Sequence, residues 1–87
     1  MRLETVQSSA IHAIGYDSEN AILEIIFTGG GIYHFHNVPI GMYRAFAASR
    51  SKGTYFLERI RGRFRHERLG RFRQRRRAAT AQAYRAA

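Results

Sequence analysis

Between Arg59 and Arg77 the chain carries ten arginines and a single acid, interleaved with Ile60, Phe64, His66, Leu69 and Phe72. A guanidinium forks onto phosphate and stacks on a flat ring, which a lysine ammonium does not do. A phenylalanine offers its face to an unpaired base. That combination points to a polyanion, nucleic acid before any other. The residues that would carry the contacts are Arg59, Arg61, Arg63, Arg65, Arg68, Arg71, Arg73, Arg75, Arg76 and Arg77, with Phe72 as the stacking ring. Two plainer explanations compete. Ten like charges could form a solvated face, but they repel one another unless an anion is bound. A membrane surface would also attract them, yet no long apolar face accompanies the charge. Gly62-Arg63-Phe64-Arg65 recurs as Gly70-Arg71-Phe72-Arg73, a match that an arginine-biased composition produces by itself.

Other side chains of chemical interest carry weaker signals. His34 and His36 lie two apart on a strand and share a face with Glu24. Structural zinc nearly always takes four protein ligands, and the set is incomplete, so no metal is expected there. Gly29-Gly30-Gly31 opens no helix and precedes no Lys-Ser/Thr pair, so it reads as a hairpin loop and not a phosphate cradle. Ser8, Ser9, His12 and Asp17 include the residue types of a hydrolase triad, but no nucleophile elbow surrounds either serine. The chain is therefore read as non-catalytic and free of cofactors. Tyr33 and Phe35 suit the core by strand alternation; a base-stacking platform is the alternative.

The composition sets the frame for these residues. Eighty-seven residues allow one small domain, and a 45% apolar share with 6 Phe and 5 Tyr is that of a globular one. Absence of cysteine excludes disulfides and thiolate metal sites. No apolar leader and no membrane-length apolar run are present, so a cytoplasmic location is expected. Charge is unevenly divided. Residues 1–53 carry Arg2, Arg44, Arg50 and Lys52 against Glu4, Asp17, Glu19 and Glu24, which cancel. The whole net charge of +9 therefore lies in residues 54–87.

Residues 10–16 and 21–28 are rich in isoleucine and aromatics and flank the turn cluster Asp17-Ser18-Glu19-Asn20, which predicts a hairpin. A third strand is predicted over 32–37, with Phe27 opposite Tyr33, Ile25 opposite Phe35 and Glu24 facing His36. Pro39 ends that strand and suits the first turn of a helix over 39–49, whose stripe is Met42, Tyr43, Phe46 and Ala47. Thr54 is a candidate cap for a second helix with Phe56, Leu57, Ile60 and Phe64 on one arc. Leu69 and Phe72 fall out of phase with that arc. The expected fold is thus α+β, a three-stranded antiparallel meander followed by two helices packed on one face (β-β-β-α-α), over residues 6–65. Residues 66–87 are expected to form an arginine-rich, alanine-ended tail, helical or disordered.

An ordered series of short motifs resembles a known family. It runs Val6-Gln7-Ser8-Ser9-Ala10-Ile11, Ile14-Gly15-Tyr16-Asp17 and Leu23-Glu24-Ile25-Ile26-Phe27 with the glycine loop. It continues through Tyr33-His34-Phe35-His36-Asn37-Val38-Pro39 and Ser51-Lys52-Gly53-Thr54-Tyr55-Phe56 to Ile60-Arg61 and Phe64. The series resembles the KTSC domain, a short module named for the C-terminus of some lysyl-tRNA synthetases and also found alone in bacteria. The resemblance covers roughly residues 6–69. It departs from the family pattern twice: the central Tyr-x-Tyr reads Tyr33-His34-Phe35, and the Asn that follows the Tyr-Phe pair is Leu57. The synthetase fusions imply RNA, by association and not by mechanism.

Together these readings predict a protein that binds RNA, in preference to single-stranded or duplex DNA, with weak sequence specificity because phosphates carry no sequence information. The alternative is an interaction module that docks on an acidic protein or on a second copy of itself to form a homodimer, with Ile22 and Ile26 on the second sheet face as an apolar contact.

Overall fold

The computed structural model describes residues 2–71. Five strands run in sequential antiparallel order: β1 (Arg2–Thr5), β2 (Ile11–Asp17), β3 (Ile22–Phe27), β4 (Gly31–Phe35) and β5 (His66–Arg71). Between β4 and β5 the chain forms helix α1 (Ile40–Ala48) and the short helix α2 (Lys52–Tyr55), which runs directly into a π turn over Phe56–Ile60. The expected three-stranded meander is therefore corrected to a five-stranded sheet, still α+β. The two strands missed by periodicity are the edges. β5 reads HERLGR, with one large apolar residue in six, and β1 spans four residues. An edge strand pairs on one side only and tolerates charge, so it needs no apolar alternation to form.

The central strand shows the opposite character. Leu23, Glu24, Ile25 and Ile26 are all buried, so both faces of β3 are covered. Between β2 and β3, Asp17 Oδ1 accepts from the backbone N–H groups of Glu19 (3.1 Å) and Asn20 (3.3 Å), and Asp17 Oδ2 accepts from Asn20 Nδ2 at 2.9 Å. These donors, Asn20 foremost, hold the Asp17 carboxyl below its ordinary pKa. In β2 the register shifts between Ile11 and Ala13, making His12 one extra residue. The bulge turns Ile11 and Ile14 toward the helices and Ala13 toward the opposite face.

The β3–β4 register is displaced by two residues from the expected one. Leu23 pairs with Phe35, Ile25 with Tyr33 and Glu24 with His34. Faces are unchanged, because a two-residue shift preserves the pleat. The cause lies in the turn. Gly30 takes a φ of +102°, its N–H donates to the Phe27 carbonyl at 2.8 Å, and Gly31 is already strand.

α1 follows Pro39 as expected, and Phe46 at its inner face is fully buried. The second helix is capped one turn earlier than expected: Ser51 Oγ accepts from Thr54 N–H at 3.2 Å. Leu57, predicted on the packed arc, is 57% exposed, whereas Ile60 is fully buried. The π turn, closed by Arg61 N–H on the Phe56 carbonyl at 2.8 Å, breaks the 3.6-residue phase on which that arc rested. The main core gathers Ile11, Ile14, Leu23, Ile25, Val38 and Ile60 with Phe35 and Phe46 on the helix side of the sheet. Ala13, Ile26 and Ile32 form a smaller cluster on the other side. Among the described residues no helix is long and apolar enough to cross a membrane.

Candidate functional site

On the helix side of the sheet, β4 and β5 leave a strip that α1 does not cover, and the π turn borders it to form an open pocket of about 490 Å³. Its floor is aromatic. Tyr33 and Phe35 lie 6.3 Å apart at 27°, and His66 sits 5.5 Å from Phe35 at 31° and 6.0 Å from Tyr33 at 47°, so the three rings cluster together with His66 inclined to Tyr33. Two further rings stand edge-on to this floor: Phe27 meets Tyr33 at 5.5 Å and 87°, and Phe56 meets Phe35 at 5.6 Å and 73°. The rim is basic, formed by Arg61, Arg68 and Arg71.

Each arginine reaches this rim through a local irregularity of the backbone. In an α-helix the residue five positions after Phe56 would lie about 140° around the axis. The i-to-i+5 hydrogen bond of the π turn brings Arg61 back to the Phe56 side. In β5 the register shifts so that Tyr33 pairs with Arg68, Ile32 with Gly70 and Gly31 with Arg71, leaving Leu69 as an extra residue. Without that bulge, strand alternation would send Arg71 to the opposite face from Arg68. With it, His66, Arg68 and Arg71 share the face of Tyr33. Arg71 Nη1 also donates to the Gly29 carbonyl at 3.0 Å, which ties its guanidinium across the β3–β4 hairpin.

The sequence-predicted site residues divide into three groups. Arg61, Arg68 and Arg71 converge on the pocket. Arg59, Arg63 and Arg65 are exposed and do not line it. Phe72, Arg73, Arg75, Arg76 and Arg77 lie outside the described residues. Phe27, Tyr33, Phe56 and His66 line the pocket and were not among the predicted nucleic-acid contacts. Tyr33 entered the sequence reading of the site only through the alternative of a base-stacking platform, and Phe27 only as its expected cross-strand partner. Phe35 is only 3% exposed and is at once floor and core, whereas Tyr33 is half-buried. Leu57, where the family pattern has Asn, does not line the pocket.

On the opposite sheet face two histidine–carboxylate pairs cross neighbouring strands. His34 Nε2 lies 2.7 Å from Glu24 Oε1, and His36 Nε2 lies 3.0 Å from Glu67 Oε2. Glu24 therefore meets His34, not His36 as expected. Among the described residues no group of three or more His, Asp or Glu gathers to hold a metal ion. Glu24 is 4% exposed and its Oε2 has no hydrogen-bond partner, so the carboxylate's contact with His34 is made through Oε1. His34→Ala should cost about 1–3 kcal/mol, as for leaving a buried polar group without its hydrogen-bond partner. His34→Gln, which keeps a donor, should recover part of it. Chemical denaturation of the three proteins checks this, and equal midpoints would show that Glu24 is satisfied in another way.

The KTSC domain family profile matches residues 7–64, which ends just before β5. A protein of Tsukamurella paurometabola is 38% identical over 63 residues, covering 72% of this chain and 94% of that one. A lysine–tRNA ligase of a Nostoc species is 33% identical over 63 residues, which is 72% of this chain but 11% of the ligase. Among solved structures, the crystal structure of a KTSC domain protein from Yersinia pestis superposes with a TM-score of 0.78 at 38% identity, covering 79% of this chain and 97% of that one. A matching profile over most of the described sheet, together with a shared fold at that identity, places this chain in the KTSC domain family.

Proposed function

We propose that this protein is a non-catalytic nucleic-acid-binding module that takes unpaired strands, RNA foremost, through phosphate contacts and limited stacking. One observation carries the reading. Arg61, Arg68 and Arg71 are brought to a single rim by a π turn and a β-bulge, above rings, and no acidic side chain lines the pocket they surround. A cation would be repelled there and an uncharged apolar ligand would leave the arginines without a role. An anion with a flat ring uses both. RNA is favoured over DNA because related sequence stands within ligases named for a tRNA. Duplexes are disfavoured, since a stacked base cannot reach a ring floor inside a pocket.

The test is a titration of the full chain against one sequence as single-stranded RNA, single-stranded DNA and duplex DNA, followed by fluorescence anisotropy at low salt. Single strands should bind about tenfold or more tighter than duplex, since stacking on one or two rings is worth about 1–3 kcal/mol per base. Equal affinity for all three would reduce the interaction to charge alone. No binding at 50 mM salt would end the proposal in favour of a protein partner.

A further inference from the structure

We infer that the pocket between β4, β5 and the π turn is a single-nucleotide site: one purine lies on the ring floor while its phosphate is held by the rim arginines. This rests on the nucleic-acid reading above and goes further, because it gives the site a ligand small enough to bind alone.

Volume comes first. About 490 Å³ falls within the range of small-molecule sites, roughly 300–1,000 Å³, and suits one nucleotide better than a run of them. The ring arrangement supplies the second constraint. Tyr33 and Phe35 lie within 27° of parallel, and the half-buried Tyr33 is the ring of the two that a flat ligand can reach, while His66, inclined at 47° to Tyr33, and the steep Phe27 and Phe56 bound it at the sides. A two-ring purine covers more of that floor than a pyrimidine, so purines gain more from stacking.

Charge and backbone give the third and fourth. Arg71 is tethered through Nη1 to the Gly29 carbonyl, which fixes the guanidinium and leaves its other donors for an anion. Gly31 keeps the space between floor and rim open. A Cβ built on it would sit 3.1 Å from Tyr33 Cε1 and 3.6 Å from Arg68 Nε, between the ring and the guanidinium that the ligand must bridge. Gly29 also lines the pocket, so the hairpin presents backbone where side chains would narrow the entrance. The glycine run is a hairpin loop, as its sequence context implies, and it also forms one wall.

The test uses the full chain and nuclear magnetic resonance titrations with AMP, UMP, adenosine, ribose 5-phosphate and phenyl phosphate. AMP should shift the ring signals of Tyr33, Phe56 and His66 and bind at least about tenfold tighter than adenosine or ribose 5-phosphate, which each lack one half of the contact. UMP should bind more weakly than AMP. Tyr33→Ala should weaken AMP about tenfold, while Gly31→Val, which adds no charge and suits a strand, should block it with the fold intact by amide spectrum. AMP no tighter than ribose 5-phosphate, phenyl phosphate equal to AMP, or unimpaired AMP binding by Gly31→Val would each overturn the nucleotide site. If single-stranded RNA still bound the chain in those cases, the broader reading would stand and the pocket alone would be lost. If RNA failed as well, both would fall.

Discussion

Phe35→Ala is expected to lower the stability of the protein by about 3–5 kcal/mol, the cost of truncating a buried phenylalanine in a packed core. Phe35 is 3% exposed, pairs with Leu23 on the central strand, and meets Phe56, Tyr33 and His66 with its ring. Its removal therefore loosens the joint between sheet, π turn and β5 at once. A domain of this size has little stability in reserve, commonly about 5–15 kcal/mol and at the low end for small cores. For a domain of 60–100 residues each kcal/mol moves Tm by about 4–8 °C, so the melting point should fall by at least about 12 °C. Phe46→Ala, with a fully buried ring under α1, should cost a similar amount without touching the pocket. The pair separates roles. Phe46→Ala at a temperature where it is folded should retain RNA binding, whereas Phe35→Ala should lose both. A Phe35→Ala protein of undiminished Tm would show that this ring is a surface platform.

The part of the fold that was legible in the sequence is the part that obeys a simple period. The hairpin of β2 and β3 announces itself through isoleucines on both sides of the Asp17–Asn20 turn, and the stripe of Met42, Tyr43, Phe46 and Ala47 sets α1 on the core. Everything that departs from a period was misread or missed. The extra residue at His12, the two-residue change of register after Gly30, and the exposure of Leu57 all follow from local breaks in the 2.0 or 3.6 repeat. β5 is the instructive case. Leu69, out of phase with a helix, is expected with residues 66–87 in a tail beyond the domain, but His66–Arg71 is an edge strand of the sheet and Leu69 is its extra, bulged residue.

The candidate site was half legible for the same reason. The excess of arginine marks the C-terminal part as a candidate for an anionic partner by type and number alone. Which of them act together depends on the π turn and the bulge, and neither has a signature in the residues Phe56–Ile60 or His66–Arg71. Once those breaks are known, three arginines from two segments meet over rings drawn from β3, β4, β5 and the π turn. A one-dimensional reading could name Arg61, Arg68 and Arg71 but could not separate them from Arg59, Arg63 and Arg65.

Binding to a single strand should weaken about 300-fold when salt rises from 50 to 200 mM, if six arginines neutralise phosphates together. Each contact on a single strand releases a condensed cation and contributes about −0.7 to the slope of log affinity against log salt, so six give roughly −4. The structure divides that slope into testable shares. Arg61, Arg68 and Arg71 stand at one rim, so replacing all three by glutamine should flatten the slope by about 2. Replacing Arg73, Arg75, Arg76 and Arg77 by glutamine removes four of the other predicted contacts, leaving Arg59, Arg63 and Arg65, and should flatten it by up to about 2, the share of the six that the rim does not carry. Phe72→Ala should leave the slope unchanged and cost about 1–3 kcal/mol on single strands alone, if that ring stacks on a base. The two arginine groups should also differ in kind. Losing the rim should reduce the advantage of single strands over duplex, because in the proposed site the rim holds the phosphate of the stacked nucleotide. Losing the second group should weaken all nucleic acids alike, since backbone contacts carry no sequence or strand information of their own. Anisotropy titrations of RNA at four salt concentrations give both slopes, and the same series with duplex gives the ratio. A rim variant with an unaltered slope would mean that Arg61, Arg68 and Arg71 touch no phosphate. The pocket would then be an aromatic cleft whose basic rim serves some other anion.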